Sequence, residues 1–195
     1  MNFIEISPLN NIKLCDEFIE LFHQFKSHHS RGQVMKNDTK GGVEDKNVKD
    51  STDLSINWWK SQSQPTVKAY QEELEIKFLN YRNKYEMCQQ LRVGLTDIFN
   101  IQYYKPNGGY KAWHFERHHN EQKRIFAFMT YLNDVPDGST EFFYQNMTIK
   151  AKKGDTVIWP AEWTHTHKSQ ISKVNDKYIA TGWFGLISDK EHGSS

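Results

Sequence analysis

Residues 123–132 carry apolar side chains on both faces of a strand, with Ile125, Ala127, Met129 and Tyr131 alternating with Phe126, Phe128, Thr130 and Leu132. A strand that is apolar on both sides lies centrally in a sheet, with cover above and below it. Around it, from residue 92 to 187, short β-branched and aromatic runs alternate with turn residues. Asn107-Gly108-Gly109, Asp137-Gly138 and Lys153-Gly154-Asp155 are the turns expected there. This half of the chain is read as β.

The N-terminal part has a different period. In residues 10–29, Leu14, Phe18, Leu21, Phe22 and Phe25 recur at helical spacing behind Asn10 or Asn11 as a cap. In residues 66–91, which follow Pro65, Tyr70, Leu74, Phe78, Tyr81, Tyr85 and Cys88 do the same. Between them, residues 30–55 are rich in Gly, Asn, Asp and Lys and read as a long loop or lid. Helices followed by many strands give an α+β chain, mainly β, whose sheet closes as a sandwich or jelly roll with helical support on one side. At 195 residues a single domain, 1–195, is expected, with 1–91 as helical support and flexible loop and 92–187 as the β core.

Composition narrows the partners. Lys and Arg number 25 against 24 Asp and Glu, a net charge of +1, so strong binding to nucleic acid or to a membrane surface is not expected. Cys15 and Cys88 are the sole cysteines, too few for a disulfide framework or a Cys-rich zinc module, and they fit a reducing compartment. Residues 1–15 lack the unbroken apolar stretch of a signal peptide, and no run is long enough to span a bilayer. A soluble, cytoplasmic protein is expected.

The chemistry concentrates in two stretches. In GGYKAWHFERHH, His114 and Glu116 stand two apart in what reads as a strand, so both point to one face. In WPAEWTHTHKS, His165 and His167 also share a face on the strand reading. One imidazole from that pair would complete two His and one carboxylate, a set that takes one side of an octahedral ion and leaves three positions open. On its own, His-x-Glu is a weak signal. The tail KYIATGWF strengthens it, because Lys177, Thr181 and Trp183 face one way and a buried Lys needs an anion such as a carboxylate co-substrate.

These motifs, in this order, resemble the Fe(II)- and 2-oxoglutarate-dependent dioxygenases, and most closely the prolyl 4-hydroxylase-like group with its small bacterial and phage members. The resemblance runs from Tyr103 to Phe184. It is carried by Tyr104 before the Gly-rich turn, His114-x-Glu116, Tyr131-Leu132-Asn133, Pro160 before the distal His, and Lys177 beyond it. It implies a double-stranded β-helix (jelly-roll) core and the cofactors Fe(II), 2-oxoglutarate and dioxygen, with ascorbate as an addition to assays. The iron ligands implied are His114, Glu116 and His165. Counting forward from Pro160, His165 lies at the family's spacing of five, whereas counting back from Lys177 the spacing of ten falls on His167. The first count is preferred, since the polar stretch 168–176 reads as a loop in which two extra residues cost little.

By the same resemblance Lys177 pairs with the distal carboxylate of 2-oxoglutarate and Tyr131 and Thr181 hydrogen-bond it. Tyr104 lies near the chelating end of the co-substrate, and Trp183 packs beside the site. Glu116 departs from the usual Asp by one methylene. The activity implied is hydroxylation of an aliphatic C–H, foremost of a prolyl residue in a peptide or protein, with a free amino acid or small metabolite as the alternative substrate. A cupin-type metal-binding protein or a silent barrel module that does not use 2-oxoglutarate is the rival reading. His118 and His119 read as surface residues or neighbours of the ligands, Tyr131 is also readable as a core aromatic, and Trp113, Trp159 and Trp163 read as core or pocket wall.

Overall fold

The computed structural model describes residues 1–35, 41–118 and 121–187. The chain opens with β1 (Glu5–Pro8) and α1 (Lys13–Gln24), which buries Leu14, Cys15, Phe18 and Phe22 and ends in a 3-10 turn, Lys26–His28. Ile12 occupies the N-cap position, and of the two asparagines Asn11 supplies a side-chain contact at the helix start, its Oδ1 accepting from Lys13 N–H at 3.2 Å. The Glu73 carboxylate accepts from the backbone N–H groups of Asn10 and Asn11, at 2.8 and 2.7 Å.

Residues 30–55, expected as a loop, contain strands. Ser30–Arg31 pairs with β2 (Thr52–Asn57), Gln33–Met35 pairs with Gly42–Glu44, and Lys49–Asp50 pairs with Gly109–Tyr110. β2 escaped notice because only Leu54 and Ile56 in it are apolar. Both pack on the helix-side core, while Asp53 and Ser55 line the cavity described below. Helix α2 (Pro65–Lys84) starts at Pro65 as the spacing predicts and gives way at Tyr85 to a 3-10 turn, Glu86–Gln90.

The β half follows: β3 (Ile98–Tyr104), β4 (Arg124–Tyr131), β5 (Val135–Phe142), β6 (Met147–Ala151), β7 (Asp155–Pro160), β8 (His167–Ser169) and β9 (Lys177–Leu186). The larger sheet has the order β1, β7, β4, β9, β3, β2, Ser30–Arg31, with Val93–Leu95 also on β9; the smaller has β6, β5, β8. All of these pairings are antiparallel. The two sheets form the walls of a double-stranded β-helix, and the helices cover the outer face of the larger one.

β4 is central, and its two apolar faces serve two cores. Phe126, Phe128 and Leu132 join Phe18, Tyr70 and Phe99 under the helices, whereas Ala127, Met129 and Tyr131 join Phe142, Val157 and Ile179 between the sheets. Full burial of a side chain such as Phe128 contributes roughly 1.5–3 kcal/mol, so both layers are needed to hold this strand. Ile125 does not follow the alternation. A register break between Arg124 and Phe126 sends Ile125 to the helix side.

Of the three expected turns, Asn107 (φ 68°) and Gly154 (φ 85°) adopt left-handed backbone at two. Asp137-Gly138 is not a turn but an irregular part of β5, where pairing with β6 breaks between Val135 and Thr140. A Cβ on Gly138 would meet Val135 Cγ1 at 2.4 Å, and this close approach lets the Gly138 carbonyl accept from Lys177 Nζ at 2.5 Å. Among the described residues, no helix is long and apolar enough to cross a membrane.

Candidate active site

A cavity of about 680 Å³ opens between the sheets. His114, Glu116 and His167 meet on its wall, with one ligand-type atom from each lying within 4.8 Å of the others. His167 begins β8, and His114 lies opposite it in an isolated bridge: His114 N–H donates to His167 O at 3.0 Å and His167 N–H to His114 O at 2.8 Å. Glu116 is held two residues on, where its N–H donates to Ala161 O.

Each imidazole has its tautomer set by a carbonyl. His114 Nδ1 is 3.1 Å from Ala112 O and His167 Nδ1 is 2.9 Å from His165 O. A carbonyl only accepts, so both Nδ1 atoms carry a proton, and in the neutral form of each ring Nε2 is the atom with the free lone pair. Those two Nε2 atoms lie 3.6 and 3.4 Å from Glu116 Oε1. Burial, and then the neighbouring His167, lower the pKa of His114, against the opposing pull of Glu116. Burial alone would raise the Glu116 pKa, but the two imidazoles outweigh it and hold the carboxyl well below its usual range. Two imidazole nitrogens and a carboxylate oxygen thus converge, a donor set that a divalent ion fits once the rings are neutral.

The other carboxylate oxygen of Glu116 is oriented separately. Trp183 Nε1–H donates to Glu116 Oε2 at 2.8 Å, and the Arg124 guanidinium lies 3.5 Å over the Trp183 ring and 3.8 Å from the same oxygen. Tyr110 stacks on His114 with ring centroids 3.4 Å apart and planes 7° apart. Trp159 and Phe142 flank His167 at 5.1 and 5.4 Å. These neighbours fix ring and carboxylate orientation, as outer partners of metal ligands do.

Lys177, on the cavity wall, is 4% exposed. Its Nζ donates to Gly138 O and, at 3.0 Å, to Ser169 Oγ, and it lies 5.4 Å from the Tyr131 ring. Among the described residues, no carboxylate stands within ion-pair distance of it. Burial brings its pKa from 10.5 down to about 7. A buried ammonium facing a cavity with neutral neighbours is a site for an anion.

Distances correct two sequence expectations. His165 is not brought to the cavity: its Nε2–H donates to Asn2 O at 2.9 Å and its Nδ1 lies 3.0 Å from Thr164 Oγ1. Residues 163–165 form a 3-10 turn, so the same-face argument for His165 and His167, which assumed a strand, fails. The carbonyl of His165, not its side chain, serves the site by accepting from His167. Tyr131 lies one layer deeper than expected, fully buried, with its hydroxyl donated to Thr140 Oγ1 at 2.7 Å; Thr140 itself lines the cavity.

The remaining expected residues do line the cavity. Thr181 donates to Phe128 O at 2.9 Å, Tyr104 donates to Gln102 Oε1 at 2.6 Å, and Trp183 binds Glu116. Tyr104 pairs in register with Lys177 across β3 and β9. His118 lines the cavity as well, and His119 lies outside the described residues. Arg124, Tyr110 and the buried Lys49–Asp53 pair (2.7 Å) were missed by sequence reasoning. The break in β4 reverses the parity that would have pointed Arg124 toward the helices, and Tyr110 sits in a two-residue strand with no periodicity to read.

A jelly roll with two His and one carboxylate at its mouth and a buried Lys inside defines a class of non-haem metal oxygenases. Residues 99–185 match the family model described as 2OG-Fe(II) oxygenase superfamily. Over that stretch the chain is similar to this superfamily, and the converging donors and the buried Lys177 fit the two groups its description names, Fe(II) and 2-oxoglutarate.

Its fold is similar to a prolyl-4-hydroxylase from Pseudomonas putida (13% identity, 96% of this chain and 95% of that one, TM-score 0.70). It is also similar to a viral collagen prolyl hydroxylase from Paramecium bursaria Chlorella virus-1 solved with 2-oxoglutarate (17%, 95% and 97%, 0.67). A third likeness is to a prolyl hydroxylase from Trichoplax adhaerens solved with a peptide fragment of the hypoxia inducible factor oxygen degradation domain (14%, 100% and 89%, 0.69). No curated protein matches the chain.

Proposed function

We propose that this protein hydroxylates a prolyl residue in a peptide or protein, with His114, Glu116 and His167 holding Fe(II) and Lys177 receiving the distal carboxylate of 2-oxoglutarate. The observation that carries the reading is the pairing of two features in one cavity: three ligand-type atoms converging on one point, and a buried Lys with no carboxylate beside it among the described residues. The likeness of the fold to prolyl hydroxylases over nearly the whole chain, one of them solved with a peptide, supports the substrate class.

Fe(II) with 2-oxoglutarate and dioxygen supplies oxidative decarboxylation, in which one oxygen atom enters succinate and the other the substrate C–H. The residues supply placement. Trp183 Nε1–H holds Glu116 Oε2, leaving Oε1 for the metal, and the Ala112 and His165 carbonyls accept from Nδ1–H, so that Nε2 of each ring is the atom turned to the metal. Lys177, charged when an anion is beside it, fixes one end of the co-substrate, and Thr181 and Tyr104 add polar groups to the same cavity wall. Trp159 and Phe142 exclude water from the His167 side.

The test has two stages. Anaerobic titration of the Fe(II)-loaded protein with 2-oxoglutarate should produce a visible charge-transfer band that weakens in Lys177→Ala. Aerobic incubation with proline-containing peptide libraries should then give products heavier by one oxygen, located on proline by fragmentation. Absence of the band in a protein shown to bind Fe(II) refutes the co-substrate assignment, and oxygen located on another residue or on a small molecule refutes the prolyl one.

A further inference from the structure

Trp113 and Trp163, expected as core or pocket wall, are 41% and 57% exposed, and Phe143 and Tyr144 beside them are 54% and 60% exposed. The four rings form a continuous edge-to-face series: Trp113 to Phe143 at 5.1 Å, Phe143 to Tyr144 at 5.1 Å, and Tyr144 to Trp163 at 5.7 Å. One end is the cavity itself, since Trp113 lines it together with Phe115 and Lys168.

Two turns carry three of these rings, and hydrogen bonds tie the turns together. Phe143 N–H donates to Thr166 O at 2.8 Å and Gln145 Nε2–H to Thr164 O at 3.0 Å. The first turn closes with Asn146 in left-handed backbone (φ 47°), and the second is pinned by Thr166 Oγ1–H on Trp163 O at 2.6 Å. Phe143 follows Phe142, which pairs with His167, so the aromatic series is built on the strands that position the candidate ligand. Single exposed aromatics are ordinary; a braced row of four leading into a reaction cavity is a preorganised contact surface.

Resting on the prolyl-hydroxylase reading, we infer that this row binds the stretch of peptide flanking the target proline, and that the stretch is an uncharged, proline-rich segment in polyproline II conformation. Charge selects that occupant. Among the described residues, the cation on the row is already neutralised, since Lys168 Nζ, 4.5 Å over Trp113, lies 3.3 Å from Glu141 Oε2, and Glu162, next to Trp163, pairs with Arg117. A single-stranded nucleic acid, the other polymer that stacks on aromatic rows, needs unneutralised cations for its phosphates. A polyproline II segment needs none, and its prolines pack on aromatic faces. The ring spacings are also close to the advance of two residues in that helix, about 6 Å.

The test is calorimetric. The full chain, loaded anaerobically with Fe(II) and 2-oxoglutarate, is titrated with end-blocked decaproline and, separately, with a deoxythymidine decamer. Decaproline should bind, the decamer should not, and the Phe143→Ala/Tyr144→Ala double variant should bind decaproline about tenfold more weakly or worse. Should the double variant fail to fold, Trp163→Ala alone must show a loss. A wild type that ignores decaproline, equal affinity in a folded variant, or tighter binding of the decamer overturns the inference. The charge-transfer band of the same loaded sample separates the two readings: with the band present and the peptide arm failing, only the aromatic row is lost as a docking surface.

Discussion

His167 and His165 stand two residues apart, and their surroundings assign them opposite tasks. His167 turns Nε2 toward Glu116 Oε1, while His165 uses its ring to hold Asn2 and its carbonyl to hold His167. His167→Ala should abolish both Fe(II) binding and 2-oxoglutarate turnover, whereas His165→Ala should keep metal affinity within about tenfold of wild type, as for loss of an outer contact. Metal titration of the two variants checks this, and the reverse pattern would restore His165 as the ligand. Lys177 gives a pH dependence whose sign follows from its burial. In the free protein its pKa is about 7, and a bound carboxylate raises it, so above that pH binding must take up a proton. Affinity for 2-oxoglutarate should therefore fall by about tenfold per pH unit from about pH 7 to pH 9, read by calorimetry of the metal-loaded protein. A flat profile would mean that Lys177 does not meet the dicarboxylate.

Helix α1 shows how an element depends on contacts distant in sequence. Its start is held by Glu73 from α2, and Lys77, one turn further on, donates to Pro8 O at 2.6 Å. Glu73→Ala leaves two backbone N–H groups without their acceptor and should cost about 2 kcal/mol, a fall in melting temperature of about 4–8 °C. Thermal denaturation by circular dichroism measures it, and an unchanged midpoint would show that water replaces the carboxylate. No sequence pattern points to Glu73, since a contact across more than sixty residues leaves no periodic trace. Both helices, the two-faced β4 and the inward set Lys177, Thr181 and Trp183 were legible because each is long enough for its period to show. What escaped is short or interrupted: β2 with its two apolar residues, the three-residue β8, the 3-10 turn that unseats His165, and the break in β4 that turns Arg124 into the cavity.

The two sheets of the barrel are joined at the cavity by polar contacts rather than by apolar packing alone, and this links ligand binding to the stability of the whole chain. Lys177, on the larger sheet, reaches Gly138 and Ser169 on the smaller one. His114 and Glu116 come from the connection between β3 and β4, while His167 belongs to the smaller sheet. An ion held by all three would clamp that connection to the smaller sheet, and a dicarboxylate on Lys177 would relieve the buried unpaired charge beneath it. Binding to the folded state alone stabilises it by about 2.7 kcal/mol at a hundredfold excess over the dissociation constant. A chain of this size should then melt about 5–10 °C higher. Thermal scans with a divalent ion against chelator should show that rise, and 2-oxoglutarate should add a second rise only when the ion is present. His167→Ala should lose both. Lys177→Ala should keep the first and lose most of the second, because its ammonium contributes to the co-substrate and not to the metal. A second rise undiminished in Lys177→Ala would place the distal carboxylate elsewhere in the cavity, with the Lys49–Asp53 side of the wall as the place to look.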